Sequence, residues 1–198
     1  MAYKGKIDPN TLRNPKKYKG DLSDIVYRSL WLWERQVCMW CDSNPKVLKW
    51  GIEEVTIKYF NPVKQKPAKY IIDFYVEFDD ARELLIEVKP HKETIQPVLT
   101  ESKTTKTGKP TMRFRREQET FAINQEKWRM AKKIAAQNGM EFAVFTEHTL
   151  DKLGIRRLAP KTEDKETKKT LFLENKRWRK KPPKAKRPKS SQRKKKWQ

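Results

Sequence analysis

Cysteine and histidine are scarce in this chain of 198 residues, and acids are outnumbered almost two to one by bases. Two cysteines, Cys38 and Cys41, cannot build a disulfide framework. They form one Cys-Met-Trp-Cys. Zinc would need two more ligands, and the two histidines, His91 and His148, lie far away in sequence. A thioredoxin-like pair would follow a strand and open a helix, whereas this one falls late in an expected helix. Reduced, buried thiols are therefore the favoured reading. No apolar run approaches the roughly 18 residues of a membrane span, and the basic N-terminus has no apolar signal core behind it. A soluble, non-secreted protein without a membrane partner is expected. The shortage of acids leaves a net charge of +22, from 47 Lys and Arg against 25 Asp and Glu. Such an imbalance calls for a polyanionic partner, nucleic acid before an acidic surface.

Apolar residues make up only 36% of the chain and are concentrated between Ile25 and Leu158. The expected organisation is a basic N-terminal arm over 1–20, a folded domain over 21–158 and a basic tail over 159–198. The tail holds 17 Lys and Arg against 4 Asp and Glu, and no acid occurs between Lys176 and Lys196. Like charges at that density, interrupted by Pro182, Pro183 and Pro188, should leave it disordered when free. It is either a solubilising extension or a phosphate-binding one, in which Trp178 and Trp197 stack on bases or pack on a protein.

The stretch that organises the domain runs from Lys69 to Phe78, through a polar turn at Asp79–Arg82, to Glu83–Lys89. With a period of two, Tyr70, Ile72, Phe74, Val76 and Phe78 share one strand face, and Asp73 lies opposite with Ile71 and Tyr75. In the second run, Leu85, Glu87 and Lys89 share a face. A hairpin centred on Asp80 sets Asp73 across from Glu87, each seven positions from the centre. Opposed Cβ atoms are about 4.5–5.5 Å apart. Two carboxylates that close require a cation between them: Lys89 is one candidate and a divalent metal ion the better one. A solvent-facing salt bridge is the common explanation of a lone Glu-x-Lys, but here Tyr75, Leu85 and Ile71 surround the charges with apolar surface.

The remaining elements follow in order. Asp21–Asp24 offers helix caps, and a helix runs from there to Asn44-Pro45 with Leu30, Trp33, Val37 and Trp40 as its core stripe. Glu34 sits inside that stripe, with Leu30, Trp31, Val37 and Cys38 three or four positions away. Inside the stripe it must be paired, protonated or bound to a metal; otherwise it is an edge residue paired with an Arg such as Arg28 or Arg35. Val55, Ile57 and Tyr59 alternate in a strand within Trp50–Phe60. Residues 91–113 are polar and aperiodic, a connection long enough to be functional. A second helix spans Phe114–Asn138 with Phe121, Trp128, Ala131, Ile134 and Ala135 inward and Gly139 as its cap. Glu141–Thr146 is a strand and Thr149–Leu153 a short helix. Helix, three strands, helix, strand makes a mixed α/β domain.

That order, with Glu34 on the first helix, Asp73 on the second strand and Glu87-Val88-Lys89 on the third, resembles the PD-(D/E)xK nuclease superfamily. More narrowly it is similar to the TnsA-like endonucleases and to the head completion nucleases of T-even-type tailed phages. The narrower likeness rests on Tyr27-Arg28-Ser29, Glu34, the run from Asn44 to Trp50 with Glu53-Glu54, Tyr70 to Asp73, Ile86 to Pro90, Asn124 with Lys127-Trp128, and Phe145-Thr146-Glu147. Ile72 stands where the superfamily's name has proline. The resemblance implies a restriction-endonuclease-like core and a metal-dependent DNA endonuclease. Asp73, Glu87, the Val88 carbonyl and Glu34 would hold one or two Mg²⁺ ions, with Mn²⁺ able to substitute, and Lys89 would complete the catalytic set. Lys127 is a candidate phosphate contact or a solvated helix residue. Arg113, Arg115, Lys180 and Lys181 are further candidate DNA contacts. The implied partners are double-stranded DNA and the portal or head–tail connector, in the virion and the host cytoplasm. A transposition or repair endonuclease, and a non-catalytic structural head protein, are the alternatives.

Overall fold

A computed structural model describes residues 5–27 and 33–155. In chain order its strands are β1 (Gly5–Lys6), β2 (Val26–Tyr27), β3 (Val47–Ile52), β4 (Thr56–Asn61), β5 (Lys66–Ile71), β6 (Phe74–Phe78), β7 (Glu83–Val88) and β8 (Glu141–Phe145). Helix α1 (Trp33–Ser43) precedes β3, α2 (Met112–Gln137) separates β7 from β8, and α3 (Glu147–Lys152) follows β8. The central sheet has four strands in the order β3-β6-β7-β8. Its first two pairings are antiparallel, and β7 with β8 is parallel. Helix α2 supplies the long crossover that a parallel pair requires. A mixed sheet covered by a helix on each face agrees with the expected α/β class.

The two faces of the sheet bury different residues. Val37, Cys38 and Cys41 of α1 pack with Val47, Trp50, Phe74, Val76, Ile86, Val88 and Phe145. Trp128, Ala131 and Ala135 of α2 pack with Ile57, Tyr59, Tyr70, Ile72, Tyr75 and Leu85. Alternation along β6 and β7 makes this division: even-numbered residues point to α1 and odd-numbered ones to α2. Val47 and Trp50 both reach the α1 side because a bulge at Leu48 adds one residue to β3. Cys38 and Cys41 are free, wholly buried thiols, and burial pushes both well above the usual thiol pKa.

Several expectations need correction. The run from Lys69 to Phe78 is two strands. β5 pairs with β4 in a separate two-stranded ribbon, whereas β6 pairs with β3 and β7. The chain bends between them, where the Ile72 amide donates to the Val55 carbonyl and the Asp73 carbonyl accepts from Glu53. The bend sends Tyr70 and Ile72 to the α2 side and Phe74 and Val76 to the α1 side, and leaves Ile71 exposed. The single strand expected within Trp50–Phe60 is likewise divided between β3 and β4. Helix α1 is described from Trp33, with Asp21–Asp24 in a 3-10 turn and β2 before it. Its deepest residues are Val37, Cys38 and Cys41, with Trp33 and Trp40 at the margins.

The basic N-terminal arm packs on the domain from residue 5 onward. Ile7 and Leu12 enter the core, and the buried Asp42 carboxylate accepts from the amides of Arg13 (2.6 Å) and Asn14 (2.9 Å). Leu30, Trp31, Arg28, Trp178, Trp197 and the tail lie outside the described residues.

Helix α2 shows how local sequence sets boundaries. The Thr111 hydroxyl caps its start by accepting from the Phe114 amide. At its end Gly139, at φ +71, donates to Ala136 while Met140 donates to Ala135, a Schellman closure that a left-handed glycine permits.

Candidate active site

Asp73 lies just beyond the end of the β6–β7 ladder, whose register (Phe74 opposite Ile86, Tyr75 opposite Leu85) continues to Asp73 opposite Glu87. The expected juxtaposition therefore forms, although Asp73 stands at a bend. One Asp73 oxygen accepts from the Val88 amide at 2.8 Å. Glu87 is 2% exposed. Its two oxygens are held separately: Oε1 lies 3.0 Å from the Lys89 ammonium, and Oε2 accepts from the Tyr70 hydroxyl at 2.7 Å.

The electrostatics follow from two buried carboxylates sharing one space. Burial first, then Glu87 and Glu34, raise the Asp73 pKa well above the usual carboxylate value, with Lys89 opposing. Burial works against a charged Lys89, but Glu87 and Asp73 overcome it and hold its pKa above the ordinary lysine value. Burial dominates at Lys127, whose pKa is lowered, while Glu87 and Asp73 oppose and Lys89 reinforces the shift. Lys127 is thus within the field of Asp73, Glu87 and Lys89 rather than on a solvated face. Its ammonium lies 5.0 Å from the Tyr70 ring centre and 6.0 Å from that of Tyr59.

The donor set suits a hard divalent cation. The Asp73 and Glu87 carboxylates and the backbone of Val88, whose amide already donates to Asp73, offer oxygen donors, and burial together with like charge raises the Asp73 pKa. Lys89 bonds to one of these oxygens, as a cation must. Among the described residues, no three His, Cys, Asp or Glu side chains form a ready metal cluster. Glu34 is half-buried and near enough to Asp73 to raise its pKa, in keeping with a place at the edge of the pair, whether it meets a cation directly or through water.

Arg113 and Arg115 are not brought to the carboxylates. Both are exposed in the first turn of α2, about 21 Å along the axis from Lys127 for Arg113. Arg113 pairs with Glu117 and lines a cleft of about 730 Å³ between residues 92–103 and α2, whose walls include neither Asp73 nor Glu87. Lys180 and Lys181 lie outside the described residues.

The family model for the TnsA-like endonuclease N-terminal domain matches residues 44–147. The chain is also 38% identical over 156 residues to the head completion nuclease of Enterobacteria phage T4, covering 79% of this chain and 99% of that protein. The chain belongs to the TnsA-like endonuclease family. No solved structure matches it significantly. Asp73, Glu87, Val88 and Lys89 fall inside the family match, whereas Glu34 precedes it.

Sequence reasoning on this TnsA-like chain missed Tyr70 as a site residue, because the expected unbroken strand aimed it away from Asp73. It also passed over Asn124 as chemistry. Asn124 is 4% exposed, one turn before Trp128, and its side-chain NH₂ has no partner among the described residues. A buried polar residue amid the apolar positions of α2 was the available signal.

Proposed function

We propose that this chain is a phage head completion nuclease, a metal-dependent endonuclease that hydrolyses phosphodiester bonds in double-stranded DNA during head maturation. The observation that carries the reading is the pair of buried carboxylates, Asp73 and Glu87, with Lys89 on the scaffold of an endonuclease family. Asp73, Glu87 and the Val88 carbonyl would hold Mg²⁺, with Mn²⁺ an acceptable substitute, and Glu34 would complete the shell directly or through water. When bound, the cation supplies Lewis-acid stabilisation of charge building on the scissile phosphate.

The chain's own groups do the rest. Tyr70 locks the Glu87 carboxylate in one orientation through its 2.7 Å hydrogen bond. Lys89, 3.0 Å from one Glu87 oxygen, orients the attacking water or neutralises the developing negative charge. Lys127 and the unpartnered Asn124 amide, on one face of α2, hold the phosphate from the opposite wall. Arg113 and Arg115 contact the DNA backbone farther along α2. Lys180 and Lys181 in the basic tail add sequence-independent affinity, with the portal or head–tail connector as protein partner, in the virion and the host cytoplasm.

Cleavage of supercoiled plasmid in Mg²⁺ or Mn²⁺, comparing wild type with Asp73→Ala, tests the reading. Metal-dependent nicking that disappears in the variant is expected. DNA binding without cutting in either metal would favour a structural head protein.

A further inference from the structure

The β4–β5 ribbon carries charges that its own fold does not neutralise. Its inner face, Ile57, Tyr59 and Tyr70, packs against α2. Its outer face pairs Thr56 with Ile71, Lys58 with Lys69, and Phe60 with Pro67. Lys58 and Lys69 are thus direct cross-strand partners, a geometry that sets Cβ atoms about 4.5–5.5 Å apart and is unfavourable for like charges. Both are exposed, and neither joins an ion pair among the described residues. No acid occurs between Val55 and Ile72. Phe60 lies one position along the same face, 49% exposed.

The ribbon's tip is held in place, which argues against a loose solvated loop. The buried Asn61 carboxamide oxygen accepts from the amides of Val63 (3.0 Å) and Lys64 (2.9 Å), closing the turn that presents Lys64 and Lys66.

We infer that the outer face of this ribbon is a binding surface for the phosphate backbone of duplex DNA, reaching it through Lys58 and Lys69 with Phe60 against the sugars. This rests on the nuclease reading of the neighbouring site and adds where the substrate lies. Lys69 precedes Asp73 by four residues, at most about 13 Å of extended chain. A duplex exposes one charge about every 1.7 Å along its axis, so a backbone laid along this outer face presents phosphates to both lysines. The polyanion also removes the cross-strand repulsion, so that binding and the shape of the ribbon favour each other.

The test is binding of the full chain to a short random-sequence duplex in EDTA, where cleavage plays no part. K58Q/K69Q should lower the slope of log affinity against log salt by about two, while the melting temperature of the free protein holds or rises. K132Q/K133Q, which removes the same charge from exposed positions on α2, should change the slope less. In the same buffer, Phe60→p-benzoylphenylalanine should photo-crosslink to the duplex. Equal slope changes for the two lysine pairs, or no crosslink with binding intact, would overturn the assignment. Because no cutting is measured, loss of the nuclease reading in the plasmid assay would leave this result standing on its own.

Discussion

The two faces of the central sheet are made by alternate residues of the same strands, yet they do different work. Towards α1 the side chains are apolar throughout: Phe74, Val76, Ile86 and Val88 meet Val37, Cys38 and Cys41. Towards α2 the same strands present Tyr75 and Leu85, and then, at their ends, Asp73, Glu87 and Lys89. A fully buried carboxylate is costly unless bonded, and Glu87 is bonded at both oxygens. One face therefore stabilises the sheet, and the other uses that rigidity to hold like charges together. Rigidity on one side is what makes the electrostatic strain on the other persist.

Asp73→Asn should break the comparison most sharply. It removes one of the two carboxylates proposed to hold the cation, and Lewis-acid stabilisation is worth several kcal/mol, so cleavage should fall about 10³-fold or more. It also removes a like charge from beside Glu87, so the melting temperature of the metal-free protein should hold or rise. A variant that is inactive because it is unfolded would contradict the division of roles.

Leu85 and Ile86 sharpen it. They are chain neighbours, each wholly buried, on opposite faces. Truncation of either to alanine should cost about 2–5 kcal/mol in urea unfolding. Only Leu85→Ala, on the carboxylate side, should also reduce the cleavage rate of the folded fraction. Equal kinetic effects would show that the faces are not separable.

Much of this division was legible in the sequence, because a period of two assigns faces without reference to anything distant. The Asp80-centred hairpin put Asp73 opposite Glu87, and the ladder has that register. What could not be read was the break at Ile72–Asp73. Apart from Asp73 itself the local propensity there is β, and the bend comes from pairing of β5 with β4 and β6 with β3, a choice made by tertiary contacts. The same break hid Tyr70 from the site. Lys127 was ambiguous for a related reason: helical periodicity places it beside Trp128 but does not say which sheet residues it meets. The Asp42 carboxylate that anchors Arg13 and Asn14 was also invisible, since nothing local announces a partner 28 or 29 residues away.

Tyr70→Phe should have a smaller effect than the ligand change. It removes the hydroxyl that fixes Glu87 without altering ring packing against Trp128. Hydrogen bonds to charged groups contribute about 1.5–3 kcal/mol. If that orientation is expressed in the transition state, kcat falls about 10- to 100-fold with little change in KM. The half-maximal Mg²⁺ concentration should rise as well, a readout that a packing role alone would not move.

The smallest effect is the pH dependence of the metal-free protein. Burial and Glu87 raise the folded-state pKa of Asp73, whereas the unfolded value is about 3.8. The folded state therefore binds this proton more tightly than the unfolded chain does. Its contribution to stability is fully present below about 3.8 and is lost as pH rises through the raised folded value. Exposed acids held by bases, among them Asp80 and Glu117, have depressed pKa values and act in the opposite direction, losing stability as pH falls. Wild-type melting alone would mix the two, so the measurement is the difference between wild type and Asp73→Asn in EDTA across that range. Asp73→Asn should gain relative stability as pH rises, modestly because Lys89 offsets part of the repulsion. Adding Mg²⁺ should reverse the sign, since only the wild-type pair of carboxylates binds it well. A difference that stays flat with pH in EDTA would mean that Asp73 is not strained by Glu87, and that the α2 face does not differ electrostatically from the apolar one.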